Sequence, residues 1–167
     1  MINNYTYIID QQENVDRYVA TCCLHELLDN KSTSLTIVPT YTTCSVDLNC
    51  TVTQNGNEIP FNVEIKERNR TPEELKKYPL AELKQDKLRR MKLETPQSTG
   101  LYYMVLLNKE KCMLFNLKKL DWSEIPLKNW WIKRTQANPN SDYVCTPTYM
   151  IPYDKAIATI NCSKYYN

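Results

Sequence analysis

Asp47 and the tripeptide Glu64-Ile65-Lys66 hold the residue types with which this chain can be expected to do chemistry. Two carboxylates and a lysine on one surface are a donor set for a hard divalent cation beside a phosphate, the arrangement that cuts phosphodiesters. The elements around them set their spacing. Residues 43–53 (TCSVDLNCTVT) and 58–67 (EIPFNVEIKE) alternate apolar and polar side chains, the period of a half-buried strand. Asn55-Gly56 between them suits a type I′ turn, which needs positive φ at both central residues. With those two as the loop, Gln54 faces Asn57. Counting back along both strands then sets Asp47 directly opposite Glu64, with Cβ atoms roughly 4.5–5.5 Å apart. Lys66 projects from the same face. Like charges so opposed are destabilising unless a cation offsets them. The plainer reading is an amphipathic hairpin. Its wet face would carry Ser45, Asp47, Asn49, Asn62, Glu64 and Lys66, and its core face Val46, Leu48, Cys50, Val52, Phe61, Val63 and Ile65.

Composition narrows the choice. With 167 residues, 42% hydrophobic, 24% charged and a net charge of +2, the chain is expected to form one domain over residues 1–167. No apolar run approaches the roughly 18 residues of a membrane span, and the N-terminus lacks the layout of a signal peptide. Gly56 and Gly100 are the only glycines, so neither a phosphate-cradling glycine loop nor a G-x-S-x-G elbow can be written. His25 is the only histidine, which removes multi-histidine metal sites. Pairing it with Cys22 or Cys23 would crowd nucleophile and base into one helical turn with no separate orienting group. The seven cysteines are odd in number and contain no C-x-x-C. They predict buried thiols in a reducing cytoplasm rather than a disulfide framework or zinc ribbon.

The surrounding pattern predicts how the acids are mounted. Asn14 to Asp29 reads as a helix with a stripe of Val15, Tyr18, Val19 and Cys22 that Glu26 extends. Leu35 to Val38 reads as a short strand ended by Pro39. Thr71-Pro72-Glu73-Glu74 is a helix start, and that helix is expected to run to about Leu93 with a break possible at Pro79. On it Leu80, Leu83, Lys87 and Met91 form one stripe centred near Lys87, with Lys84 on its flank and Glu82 and Gln85 pointing away. A lysine so placed is costly unless its stem snorkels or its ammonium meets an acid. Residues 101–107 (LYYMVLL) and 111–117 (KCMLFNL) read as strands around an Asn108-Lys109-Glu110 turn, the first apolar on both faces as in a central strand. Beyond Asp121 the chain is rich in tryptophan, tyrosine and proline without a clear period, and residues 118–167 are expected to pack on the core as an aromatic-rich extension.

Helix, three-stranded meander carrying Asp and then Glu-x-Lys, helix, strand: this order resembles the PD-(D/E)XK nuclease superfamily, and within it the small phage and bacterial members related to Holliday-junction resolvases. The resemblance implies an α/β fold with a restriction-endonuclease-like αβββαβ core over residues 13–117, a mixed central sheet flanked by helices. Val46 stands where the family often has proline before its first acid. The resemblance further implies Mg²⁺ (or Mn²⁺) held by Asp47, Glu64 and the Ile65 carbonyl, which would acidify a water. Lys66 would orient or deprotonate that water, Lys87 or Lys84 would bind a phosphate, and Glu26 would help place a second metal or a water. The implied partner is nucleic acid, DNA by the resemblance, in the cytoplasm of a bacterial or phage-infected cell. No membrane is involved, and a homodimer is left open. The alternative is a catalytically inactive module of the same fold that binds nucleic acid or protein.

From Lys66 to Lys92 there are ten Lys/Arg against five Asp/Glu. Arg68, Arg70, Lys76, Lys77, Lys84, Arg89, Arg90 and Lys92 are therefore candidates to track a phosphate backbone, against the plainer reading of a solvated helix face. Trp130-Trp131 with Lys133 and Arg134 are candidates to stack on unpaired bases, against a place in the core.

Overall fold

The chain folds in the order α1 (Asn4–Leu28), β1 (Thr33–Pro39), β2 (Leu48–Gln54), β3 (Asn57–Arg68), α2 (Pro72–Lys77), β4 (Leu80–Lys84), α3 (Gln85–Glu94), β5 (Gly100–Leu107), β6 (Lys111–Asn116), β7 (Leu127–Lys133), β8 (Tyr143–Pro152) and β9 (Ala158–Asn161), with short 3₁₀ turns at Tyr153–Lys155 and Ser163–Tyr165. This is a computed structural model that describes residues 4–28, 33–40, 44–133 and 143–167. The class is mixed α/β. Six strands form one sheet in the order β1-β2-β3-β5-β6-β9, and three form a second in the order β4-β8-β7. Only β3 and β5 run parallel; every other pairing is antiparallel. No helix among the described residues is long and apolar enough to cross a membrane.

Two local signals act as expected. Asn55 (φ 52°) and Gly56 (φ 78°) turn left-handed, and the hairpin they close pairs Gln54 with Asn57 and Leu48 with Val63. Asn108 and Lys109 likewise take positive φ (54° and 56°) between β5 and β6. The period-2 alternation of the central strands divides the core into two layers. From β3, β5 and β6, the side chains of Phe61, Val63, Ile65, Met104, Leu106, Cys112 and Leu114 pack on the α1 side. Leu101, Tyr103, Val105, Met113 and Phe115 pack on the other, against Ala81 and Leu83 of β4, Leu88 and Met91 of α3 and Ile151 of β8. Glu64 and Lys66 fall on this second face because they alternate with Val63 and Ile65.

Several expectations need correction. The first helix begins ten residues earlier than Asn14, at Asn4, and its far end, Asp29, lies outside the described residues. Its buried face is Val19, Ala20, Cys23 and Leu24, while Val15 and Tyr18 are exposed, because the face that meets the sheet continues into Leu27 and Leu28. The first hairpin strand starts at Leu48 rather than Thr43 (Thr43 lies outside the described residues), and the bend before it sends Val46 into the opposite core layer from Leu48. The second helix is two helices with a strand between them. Thr71 caps α2 in a reciprocal box with Glu74, and the helix stops at Lys77, two residues before Pro79. Leu80 to Lys84 then become β4, because β8 lies alongside to pair with them. Leu80, Leu83, Lys87 and Met91 are therefore not one helical stripe. Cys23, Cys50, Cys112 and Cys162 are buried thiols as expected, but Cys44 and Cys145 are exposed, and all seven cysteines are free.

Leu88 and Met91 are the buried residues of helix α3, with Met91 at 0% exposure and Leu93 at 68%. Met91→Ala is expected to lower stability in urea unfolding by about 2–5 kcal/mol. Leu93→Ala should stay within about 0.5 kcal/mol of the parent. Equal effects at the two positions would mean that α3 is not seated on this face.

Candidate active site

The regular ladder between β2 and β3 stops at Leu48–Val63, one residue short of the expected Asp47–Glu64 pair. At Asp47 the backbone bends and its N–H donates to the Val63 carbonyl at 2.9 Å. The Asp47 carboxylate then takes over from the missing backbone, and its Oδ2 accepts the Ile65 N–H at 2.7 Å. Arg17 of α1 approaches the other oxygen at 3.6 Å. Within a strand, one residue's N–H and C=O point to the same neighbour, so the Ile65 carbonyl faces the same edge as Asp47.

Glu64 lies in the second core layer at 9% exposure. Lys87, in the first turn of α3, sets its Nζ 2.8 Å from Glu64 Oε1. Oε2 is buried and has no hydrogen-bond partner. Burial, and after it the nearby Asp47 charge, push the Glu64 carboxyl up to about 8, while Lys87 pulls the other way. Lys66, two residues along, is held below the ordinary lysine range by burial in the walls of a cleft and by the Arg68, Lys87 and Lys84 charges, with Glu64 opposing. Lys66 is exposed as a residue, so solvent screens part of this shift.

Glu64, Lys66 and Lys87 share a cleft of about 610 Å³ with Lys84, Arg90, Tyr103, Trp130 and Trp131; Asp47 is not among the residues that line it. Lys87 thus reaches Glu64 as the helical stripe proposed, but from a different mount: β4 stops at Lys84 and α3 turns Lys87 inward. Glu26 is not among the residues of this cleft. Its carboxylate takes the Tyr165 hydroxyl at 2.5 Å and Lys164 at 2.9 Å. Among the described residues no group of three or more His, Cys, Asp or Glu is placed to hold a metal, so a cation here would depend on two carboxylates and main-chain oxygen. Another cleft, of about 660 Å³, is bordered by Asn49, Asn62, Ser98 and Glu94 and brings no second acid to Glu94.

Most of the candidate phosphate-tracking cations have partners. Glu82, expected to point away, is 8% exposed and clasps both Arg68 (3.2 Å) and Arg70. Its own carbonyl accepts the buried Tyr103 hydroxyl at 2.9 Å. Arg89 and Arg90 both bind Asp86 on the exposed face of α3. Lys77 and Lys92 lie over the rings of Tyr78 and Trp122. Among the described residues no ion pair holds Lys66 or Lys84. The side chain of Lys133 and all of Arg134 lie outside the described residues. The roles of Arg17 and Glu82 had no signal in the sequence, since one depends on the packing of α1 and the other on β4 being a strand. In comparisons with known proteins, no family model, curated protein or solved structure matches the chain.

Two stability measurements check this geometry. Asp47→Ala leaves the Ile65 N–H without its acceptor and is expected to cost about 1–3 kcal/mol, whereas Asp47→Asn keeps an oxygen there and should cost less. Glu64 has a raised folded value against an ordinary one near 4.5 in the unfolded chain. Its contribution to stability is therefore present below about pH 4.5 and is lost as pH rises toward 8. In metal-free thermal melts, Glu64→Gln should gain on the parent steadily from pH 5 to about pH 8. A constant difference across that range would show that Glu64 ionises normally.

Proposed function

We propose that this chain is a metal-dependent nuclease with a PD-(D/E)XK-like core, acting on nucleic acid and on DNA in the first instance. The observation that carries the reading is the buried, unpartnered Glu64 Oε2, set beside Asp47 and flanked by Lys66 and Lys87. The order of β1, β2, β3 and β5, with β3 and β5 parallel, supports the αβββαβ arrangement; β4 is an addition between the two helices. Free cysteines throughout fit a reducing cytoplasm.

The residues fit a hard cation. Glu64 Oε2, the Asp47 carboxylate and the Ile65 carbonyl would hold Mg²⁺ or Mn²⁺. Bound there, the ion would lower the pKa of a water and offset charge growing on phosphate oxygens. Lys66, with its ammonium already made easier to deprotonate, would orient a water at this site or take its proton. Lys87, 2.8 Å from Glu64, would be the cation for the phosphate, with Lys84 in the same cleft. A second reading, an inactive binding module of the same fold, is favoured by one observation: Lys87 and the Ile65 N–H already occupy one oxygen of each acid.

Cleavage of single-stranded, duplex and branched DNA in Mn²⁺ separates the two. The parent should cleave at least one of these substrates, Glu64→Gln none, and Lys87→Met about 10²-fold more slowly, as when a preorganised charge is removed from a phosphate. Cleavage by Glu64→Gln at the parental rate would sink the assignment.

A further inference from the structure

Trp130 and Trp131 line the same cleft as Glu64 and Lys66 but are placed very differently. Trp130 is half-buried and packs edge-on against Tyr78, with ring centroids 6.0 Å apart, so its burial and this contact already account for it. Trp131 is 66% exposed and makes no aromatic contact among the described residues. It lies on β7, an edge strand of the second sheet among the described residues. An indole left this open buries little of its large apolar area and contributes little to the core. The cleft that Trp131 shares with Glu64 is also lined by Lys84 and Lys66, neither held by an ion pair among the described residues. Arg90 adds a third charge that it shares with Asp86.

We infer that Trp131 is a stacking platform for an unpaired base, and that Lys84 carries the phosphate leading from that base toward the Glu64 site, so that the strand this cleft takes is single. Every nucleobase presents a π-face, so such a platform is tolerant of sequence, but a base already stacked inside a duplex cannot offer its face to an indole. The neighbouring cations supply the sequence-independent, salt-sensitive part of the binding. The inference rests on the nuclease reading for its direction, because it names the form of strand that reaches Glu64.

The test is equilibrium binding of labelled 12-mers, measured by fluorescence anisotropy in EDTA so that no cleavage intervenes. The probes are single-stranded DNA, single-stranded RNA and duplex DNA. The parent should bind at least one single-stranded probe more tightly than the duplex. Trp131→Ala should weaken that binding about 10-fold or more, and Trp131→Phe, which keeps an aromatic face, should recover most of it. Lys84→Met should weaken binding and flatten its salt dependence. Unchanged single-strand affinity in Trp131→Ala, or a parent that prefers duplex, overturns the inference. The two readings fail separately. Trp131-dependent binding without Mn²⁺-dependent cleavage retains the platform and removes the nuclease; cleavage indifferent to Trp131 does the reverse.

Discussion

The cleft depends on one ion pair, Glu64 with Lys87, formed where a strand, a helix and a second sheet meet. A carboxylate at 9% exposure is costly to ionise unless a cation stands beside it, and Lys87 is the only cation paired with it among the described residues. The pair also explains why α3 sits where it does. Leu88 and Met91 anchor the helix in the core, and Lys87, one residue before Leu88, is thereby directed at the acid. The compensation is incomplete, since Oε2 has no partner and Asp47 adds a like charge nearby. A core built only for stability would carry an apolar side chain at this position, and this incomplete compensation is what motivates the proposed cation site.

A second knot of charge, Glu82 with Arg68 and Arg70, ties the end of β3 to β4 and so joins the two sheets beside the cleft. Glu82 is as buried as Glu64 but is saturated. The two glutamates differ in one respect: both are buried, and only Glu64 has an oxygen left over. The clasp of Glu82 on Arg68 and Arg70 also reduces the basic surface. The local excess of Lys and Arg in this region is a count of residues; in the cleft itself the cations without an ion-pair partner among the described residues are Lys66 and Lys84.

The hairpin was legible because its determinants are local. Asn55-Gly56 selects the turn, the turn selects the register, and the register brings Asp47 to the Glu64 end of the pair. Even there the last step escaped prediction. Whether Asp47 continues the ladder or bends out to bind the Ile65 N–H with its side chain depends on residues 44–46 and on Glu94, which accepts the Ser45 N–H at 2.7 Å. Lys87 was singled out for its unusual place among apolar residues, and it does meet an acid. The helix invoked to deliver it does not exist as one piece.

What the sequence determined by itself is what near neighbours in the chain decide: the two left-handed turns, the capped start of α2, the apolar central strand β5, and the shared polar face of Glu64 and Lys66. What only the tertiary structure decided is what residues far apart decide together. Leu80 to Lys84 is a short apolar stretch compatible with helix or strand, and β8, more than sixty residues later, makes it a strand by supplying hydrogen bonds along its length. The same pairing brings Trp130 and Trp131 on β7 to the mouth of the cleft and buries Glu82 against two arginines. Local propensities differ by only about 1 kcal/mol per residue, so a pairing partner at that distance overrides them without leaving a mark in the segment it converts.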